Sequence, residues 1–315
     1  MTVRPGLDRS RPAPRLWRRS ARHAVQIVAR AALDCAYLIR SRHPRRTKAR
    51  ILLEYVRLTI KLIFNAHPDR AGSERVLCYR VRHFGYGSLQ FLFREVFVRN
   101  EYFFETVNER PLILDCGANI GLATLFFKWL YPRCEVHAFE PDPCAFAALK
   151  DNVEQNGLAD VHLHNVALCD ANGAVDFFVP QRGSASPMMS LVRGRIPEAE
   201  SRRIVVDGRT LSTYIDGREV DFLKMDIEGG EELVLRELAG AGVLRRVKEM
   251  VVEYHHNLNG AVADLGRFLQ LLRGAGYHYQ LDATRGAPGS ATEFQDILVC
   301  AHHAPGTQGD RESGA

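Results

Sequence analysis

The stretch that most constrains this chain is Leu112-Ile113-Leu114-Asp115-Cys116-Gly117-Ala118-Asn119-Ile120-Gly121. An aliphatic run that closes on an acid reads as a buried strand, Pro111–Asp115, ending at the edge of a sheet. A Gly-x-Asn-x-Gly turn follows, and Leu122–Tyr131 then carries Leu122, Leu125, Phe126, Trp129 and Leu130 on one helical face. Gly117 has no Cβ to hold a ligand away from the backbone. Gly121 opens a helix whose free N–H groups and dipole favour an anion. Asp115 can accept a hydrogen bond from an ammonium.

The next strand, Glu135–Phe139, runs into Glu140, twenty-five residues after Asp115. In a nucleotide-binding βαβ unit, an acid at that position bonds the ribose hydroxyls. Acid, glycine turn, helix, strand and second acid in register suit the zwitterionic nucleoside S-adenosylmethionine. A nicotinamide cofactor would want Gly-x-Gly-x-x-Gly at the turn, and a nucleoside triphosphate a Gly-x4-Gly-Lys-Ser/Thr loop; neither is found.

Around this unit, strands and helices alternate. Helix Pro143–Asn156 stops at Asn156-Gly157, and strand Val161–Ala167 follows. A short strand at Val175–Val179 precedes a loop, Pro180–Arg203. Then come strand Phe222–Met225, helix Glu231–Leu238, strand Glu249–Glu253 and helix Leu265–Gly274. Strands near His278–Leu281 and Ile297–Ala301 close the series and can form an antiparallel edge hairpin. Such alternation predicts an α/β fold with a mostly parallel sheet and helices on both faces. Upstream, helical patterns span Leu16–Ser41 and Lys48–Asn65, broken at Arg42-His43-Pro44. Leu52, Val56, Ile60 and Ile63 read as the face of the second helix that packs on the domain. Arg75–His83 reads as a strand and Leu89–Arg99 as a helix. The division is a basic, partly disordered arm (1–50), a helical extension (51–105), a cofactor-binding domain (106–302) and a disordered tail (303–315).

Residues 1–50 hold fourteen Lys/Arg against Asp8 and Asp34, about +12, while the rest of the chain is about −7. A basic arm can touch nucleic acid, or acidic lipid as a peripheral membrane contact. The acidic remainder argues against a catalytic face that tracks phosphates. Cys35, Cys78, Cys116, Cys134, Cys144, Cys169 and Cys300 show no CxxC pair or zinc spacing, which fits a reducing, cytoplasmic setting. The most apolar run, His23–Ile39, is interrupted by Arg30 and Asp34 and is too short for a membrane span.

Leu114-Asp115-Cys116-Gly117-Ala118-Asn119-Ile120-Gly121, Phe139-Glu140-Pro141 and Asp221-Phe222-Leu223-Lys224-Met225-Asp226-Ile227-Glu228-Gly229 together resemble the FkbM family of methyltransferases. Asn165-Val166-Ala167 and Thr210-Leu211 fall at matching places, and the resemblance covers about residues 85–300. It implies a Rossmann-like class I methyltransferase fold with seven strands and, usually, O-methylation of natural products or sugars. By position it implies cofactor contacts at Asp115, Gly117, Asn119, Gly121 and Glu140, with Asp170 near the adenine edge. Ser212 departs from the pattern, where the family often has an acid.

Methyl transfer to an alcohol is an in-line displacement that needs alignment and a proton acceptor. Asp226 and Glu228 follow the fourth core strand and Glu253, His255 and His256 the fifth, so these groups are expected to converge beside the methyl donor. The catalytic candidates are Asp226, His255 and Glu228, with His255 or Asp226 as base. Alternatively, Asp226, Glu253 and His255 hold a divalent cation. Pro180–Arg203, with Arg182, Arg193, Arg195, Arg202 and Arg203, is the expected acceptor lid. The expected acceptor is a hydroxyl of a sugar, glycan or secondary metabolite. The alternatives are an RNA methyltransferase tethered by the arm and a non-catalytic S-adenosylmethionine-binding protein.

Overall fold

The computed structural model describes residues 16–41, 43–65, 67, 69–181, 200–256, 264–283 and 295–303. The arm's first fifteen residues, most of the expected lid with Arg182, Arg193 and Arg195, and the tail after His303 lie outside them.

Two helices come first, α1 (Leu16–Arg40) and α2 (Arg45–Phe64), with Pro44 between them fixing an extended backbone ahead of α2. Arg75–His83 is not one strand but part of a hairpin, β1 (Gly72–Val76) and β2 (Tyr79–His83), turning at Leu77 with φ of 54°. Leu77-Cys78 lacks the Gly or Asn that usually marks such a turn, so the pattern reads through it. The extension is therefore a mix of helix and hairpin. Then α3 (Tyr86–Phe93) runs directly into one π-helical turn, Arg94–Val98.

The central elements are β3 (Leu112–Cys116), α4 (Leu122–Leu130), β4 (Glu135–Phe139), α5 (Pro143–Glu154) and β5 (Val161–His164). Asp142 caps α5 by accepting from the Ala145 amide at 2.8 Å, with Pro143 at the first helical position. Gly157, at φ of 59°, ends that segment as expected. The predicted strand Val161–Ala167 is split. The Asn165 side chain donates to the carbonyls of Glu140 and Pro141, pulling the chain off the ladder. Beyond it, β6 (Ala167–Leu168) joins β7 (Gly173–Pro180) and β8 (Ser201–Arg209) in a separate three-stranded sheet. Arg202 and Arg203, expected in the lid, belong to β8, and Arg203 pairs with Asp176 at 3.0 Å. The chain continues through α6 (Ser212–Ile215), β9 (Val220–Met225), α7 (Glu231–Gly240), β10 (Val247–His256), α8 (Leu265–Gly274), β11 (Tyr277–Ala283) and β12 (Gln295–His303).

Seven strands form the main sheet in the order β11-β12-β10-β9-β3-β4-β5. The run from β10 to β5 is parallel, and β12 lies antiparallel between β10 and β11. The expected edge hairpin is present. Period-two alternation divides the core between the two faces. Ile113, Val136, Ala138 and Phe222 pack with α4, α5 and the N-terminal helices. Leu112, Leu114, Leu223, Met225 and Val252 pack with α7 and α8. Both faces are covered, so every residue of β9 is buried, Lys224 included.

The N-terminal helices share the first core: Leu38, Ile51, Tyr55 and Leu58 are at most 1% exposed. The packing face expected for α2 is corrected. Its inner residues are Ile51, Tyr55, Leu58 and Thr59, whereas Val56 and Ile60 stand exposed. A helix with apolar residues on two sides does not reveal which side is inner. Asp34 of α1 is fully buried and accepts hydrogen bonds from Tyr55, Arg94 and Arg99 at 2.7, 2.7 and 2.9 Å. This is the paired, hydrogen-bonded state that a buried carboxylate requires. No helix among the described residues is long and apolar enough to cross a membrane.

Candidate functional site

The carboxyl ends of β3, β4, β9 and β10 open into one cleft, the place where an open α/β sheet takes its ligand. Gly117 and Asn119, Phe139 and Glu140, Asp226 and Glu228, and Glu253 and His255 reach it from these strand ends. Val166, Ala167 and Leu168 add an apolar wall. Phe91, Leu92, Glu95, Val96 and Tyr102, from α3, the π-helical turn and the segment after it, form the opposite side.

At the cofactor end, Glu140 is 5% exposed. One carboxylate oxygen accepts from the Asn119 amide at 2.8 Å and the other from the Asp142 amide at 2.9 Å. Burial pushes its carboxyl up to about 7, against the pull of those two amides. Of the six expected cofactor residues, Gly117, Asn119 and Glu140 line the cleft.

Asp115, Gly121 and Asp170 do not, and each has a physical reason. Asp115 is wholly buried behind the turn, where Thr124 donates to it at 2.6 Å and the Lys224 ammonium lies 3.5 Å away. It anchors α4 and Lys224. Gly121 is left-handed at φ of 88°, and a Cβ there would lie 2.6 Å from Leu149, so this glycine serves the packing of α4 on α5. Asp170 stands exposed on the bend after β6. Gly117 also acts differently from expectation: a Cβ would fall 1.7 Å from the Asp226 carbonyl, so its bareness lets two strand ends touch.

The turn's amides are already used. Those of Gly117 and Ala118 donate to the Phe139 carbonyl, that of Asn119 to Glu140 and that of Ile120 to the Asn119 side chain. Leu122 and Ala123, in the first turn of α4 where N–H groups have no intrahelical acceptor, line the cleft instead. The residues present fit S-adenosylmethionine: Glu140 as acceptor for a ribose diol, Phe139 and Leu168 as apolar walls for a purine, and the first turn of α4 for a carboxylate.

At the other end, His255 is 4% exposed and ringed by acids. Its Nδ1 is 2.8 Å from Glu231, and its Nε2 is 3.3 Å from Glu228 and 3.9 Å from both Asp226 and Asp296. Burial works against charge on the ring, but Glu231 first, then Glu228 and Asp226, outweigh it and push the imidazole up to about 10. Burial would likewise raise Glu231, yet the charge of His255 holds it below the usual carboxylate range. These carboxylates favour the protonated ring, which makes His255 a weaker candidate for the proton acceptor than Asp226. Lys224 donates to the carbonyls of Cys116 and Gly117, and its ammonium lies 3.7 Å from Asp226. Burial disfavours this charge too, but Asp115 and Asp226 prevail and its pKa lies above the ordinary lysine value. Asp226 therefore sits between two cations. Burial, followed by Glu101 and Asp226, pushes Glu95 up to about 9; burial and then Asp226 hold Glu253 well above the carboxylate range.

The expected metal triple is divided. Asp226, Glu228 and His255 form one group with ligand atoms within 4.8 Å, and Glu253, His255 and Asp296 another. Sequence reasoning missed Glu231, Glu95, Tyr102 and Asp296 and left Lys224 open. Only Glu231 carried a local signal, as an acid in the first turn of α7 that accepts from the Gly229 amide. Two cleft residues, Asn119 and Glu228, hold left-handed backbones at φ of 51° and 56°, strain of the sort that gathers at working sites.

A model of the methyltransferase FkbM domain matches residues 115–279, more than half of the chain. The chain belongs to the FkbM methyltransferase family. It is an S-adenosylmethionine-dependent methyltransferase. Among FkbM relatives, the 31-O-demethyl-FK506 methyltransferase FkbM of Streptomyces tacrolimicus is 30% identical over 232 residues, 62% of this chain and 85% of that protein. The 2-O-methyltransferase NoeI of Sinorhizobium fredii is 30% identical over 158 residues, 46% of this chain and 63% of that protein. The crystal structure of methyltransferase FkbM from Methylobacillus flagellatus aligns with a TM-score of 0.41 and 16% identity, covering 69% of this chain and 54% of that one. The FkbM match begins at Asp115 and so leaves α1–α3 and the π-helical turn outside it.

Proposed function

We propose that this enzyme methylates a hydroxyl oxygen of a sugar, glycan or secondary metabolite, in the cytoplasm, with Asp226 as the proton acceptor. The observation that carries the reading is the position of Asp226 at the end of β9, on the cleft, between Lys224 and His255. Two of the relatives are named for O-methylation. Seven free cysteines favour a reducing compartment.

When bound, S-adenosylmethionine supplies an electrophilic methyl on a sulfonium that leaves as a thioether. The residues of this chain do the rest. Glu140 and the first turn of α4 hold the two ends of the nucleoside. Glu95 and Glu253, whose carboxyls burial pushes towards the neutral form, are placed to donate hydrogen bonds to acceptor oxygens. Asp226 takes the hydroxyl proton as the carbon–oxygen bond forms, worth about 10²–10⁴-fold in rate. His255 keeps Asp226 and Glu228 oriented and supplies positive charge where a divalent cation would otherwise be needed, so activity should withstand a chelator. The relatives named for O-methylation favour this reading over an RNA acceptor.

The test uses a labelled methyl donor, a panel of hydroxyl acceptors and Asp226→Asn. Turnover should fall at least a hundredfold while cofactor affinity changes less than about threefold. Equal turnover in the variant would remove Asp226 from the proton transfer.

A further inference from the structure

Twelve large apolar side chains stand exposed among the described residues, and eight of them lie on two neighbouring helices. They are Val28, Leu33, Tyr37 and Ile39 on α1, and Leu53, Val56, Ile60 and Phe64 on α2. On α2, positions 53, 56, 60 and 64 repeat at helical spacing and form one stripe. On α1, Ala29, Ala32, Leu33 and Ala36 do the same and are exposed. Both helices already bury an opposite face through Leu38, Ile51, Tyr55 and Leu58. The outer stripes are therefore a second apolar face, not the edge of the core.

The outward charge that α1 and α2 themselves carry is basic, and Glu74 of β1, which also meets α2, is paired with Arg57 and Lys61. Arg30, Arg40, Arg45, Arg46 and Arg50 are exposed beside the stripes. Between residues 27 and 64 the only acids are Asp34, buried against Arg94 and Arg99, and Glu54, paired with Arg57. A face that is apolar along its ridge and basic around it, without a free acid, complements an anionic bilayer surface. A second copy of the same face would set arginine against arginine, and a nucleic acid would leave the apolar stripes without a partner.

We infer that the outer face of α1 and α2 docks this enzyme on an anionic membrane surface, with the apolar stripes entering the headgroup region and the arginines meeting lipid phosphates. The inference does not depend on which acceptor is methylated. The inner face of α1 is tied through Asp34 to Arg94 and Arg99, which bracket the π-helical turn that carries Glu95 and Val96 into the cleft. A docked helix pair would thus hold the acceptor wall at a set height above the lipid.

The test is flotation of the full chain with vesicles of phosphatidylcholine alone and of phosphatidylcholine with about one third phosphatidylglycerol. The partner variant is Leu33→Asp/Leu53→Asp/Phe64→Asp, three exposed positions outside the cleft. The wild type should bind the anionic vesicles at least tenfold better than the neutral ones. The triple variant should lose at least tenfold of that binding while keeping its melting temperature and cofactor affinity. Wild type that ignores anionic vesicles, or a variant that floats equally well, overturns the proposal. So does a wild type that forms a dimer which the variant abolishes, since the face would then be a contact between copies.

Discussion

Replacing Glu231 with glutamine tests the electrostatic core of the site. The Glu231 and His255 side chains are 2.8 Å apart and 2% and 1% exposed, so water screens the pair little. Moving the imidazole from 6.5 to about 10 corresponds to roughly 5 kcal/mol of preference for the charged ring. Burial pulls the other way, so the surrounding carboxylates supply all of that preference, Glu231 the most. Breaking a buried pair costs about 3–5 kcal/mol. Glu228 and Asp226 still face Nε2 in the variant, which puts the loss near 3 kcal/mol. At roughly 2–4 °C per kcal/mol, the melting temperature should drop by about 6–12 °C. The pH dependence has a definite sign. The folded pKa lies above the unfolded one, so the stabilisation is complete below pH 6.5 and is lost as pH rises towards 10. Wild-type unfolding free energy should therefore fall by about 1.4 kcal/mol per pH unit from this group across that window, and the variant's should be much flatter. Chemical denaturation between pH 6 and pH 10, together with NMR titration of the His255 ring, measures both. A wild-type ring that titrates near 6.5, or equal slopes in the two proteins, refutes the reasoning.

Glu140→Ala should weaken binding of S-adenosylmethionine or its demethylated product about tenfold or more in calorimetry, and unchanged affinity would displace Glu140 from the ribose. Because burial leaves the Glu140 carboxyl at about 7, wild-type affinity should rise from pH 6 to pH 8 as the better acceptor form appears; a flat profile would contradict this. Gly117→Ala should unfold or prevent soluble expression, since its Cβ would fall 1.7 Å from the Asp226 carbonyl at a φ of 81°. Gly157→Ala, also left-handed but in open space, should cost only about 1–2 kcal/mol, and the order of the two melting temperatures is the check. Asp34→Asn should cost about 3–5 kcal/mol by leaving Arg94 without its buried partner; a loss below about 1 kcal/mol in denaturant titration would refute that.

Much of the architecture was legible because strand and helix periodicities are local. The bounds of β4 and α8 agree with the pattern, and the antiparallel pair at the sheet edge was expected from the closeness of the last two strands. Asp226, Glu228 and His255 were read as neighbours because the ends of adjacent parallel strands must meet. Where the reading failed, the cause was competition between elements that local pattern does not contain. The two apolar sides of α2 are equivalent until α1 and α3 pick one. Strand β8 hides behind the arginines that made its start look like a loop, and it becomes a strand by pairing with β7.

From the amino-acid order alone came the family motifs, the strand–turn–helix that shapes the cofactor end, the acid at Glu140 and the unequal charge of the N-terminal arm. Only the folded chain set Asp115 and Gly121 back from the cleft, ringed His255 with carboxylates, and made the N-terminal segment a wall of the cleft. Periodicity sets which residues stand at strand ends, because it depends on neighbours a few positions away. Charge state and contact depend on gaps of about 3–4 Å between groups far apart in the chain, such as Glu231 and His255, and those exist only once the sheet has closed.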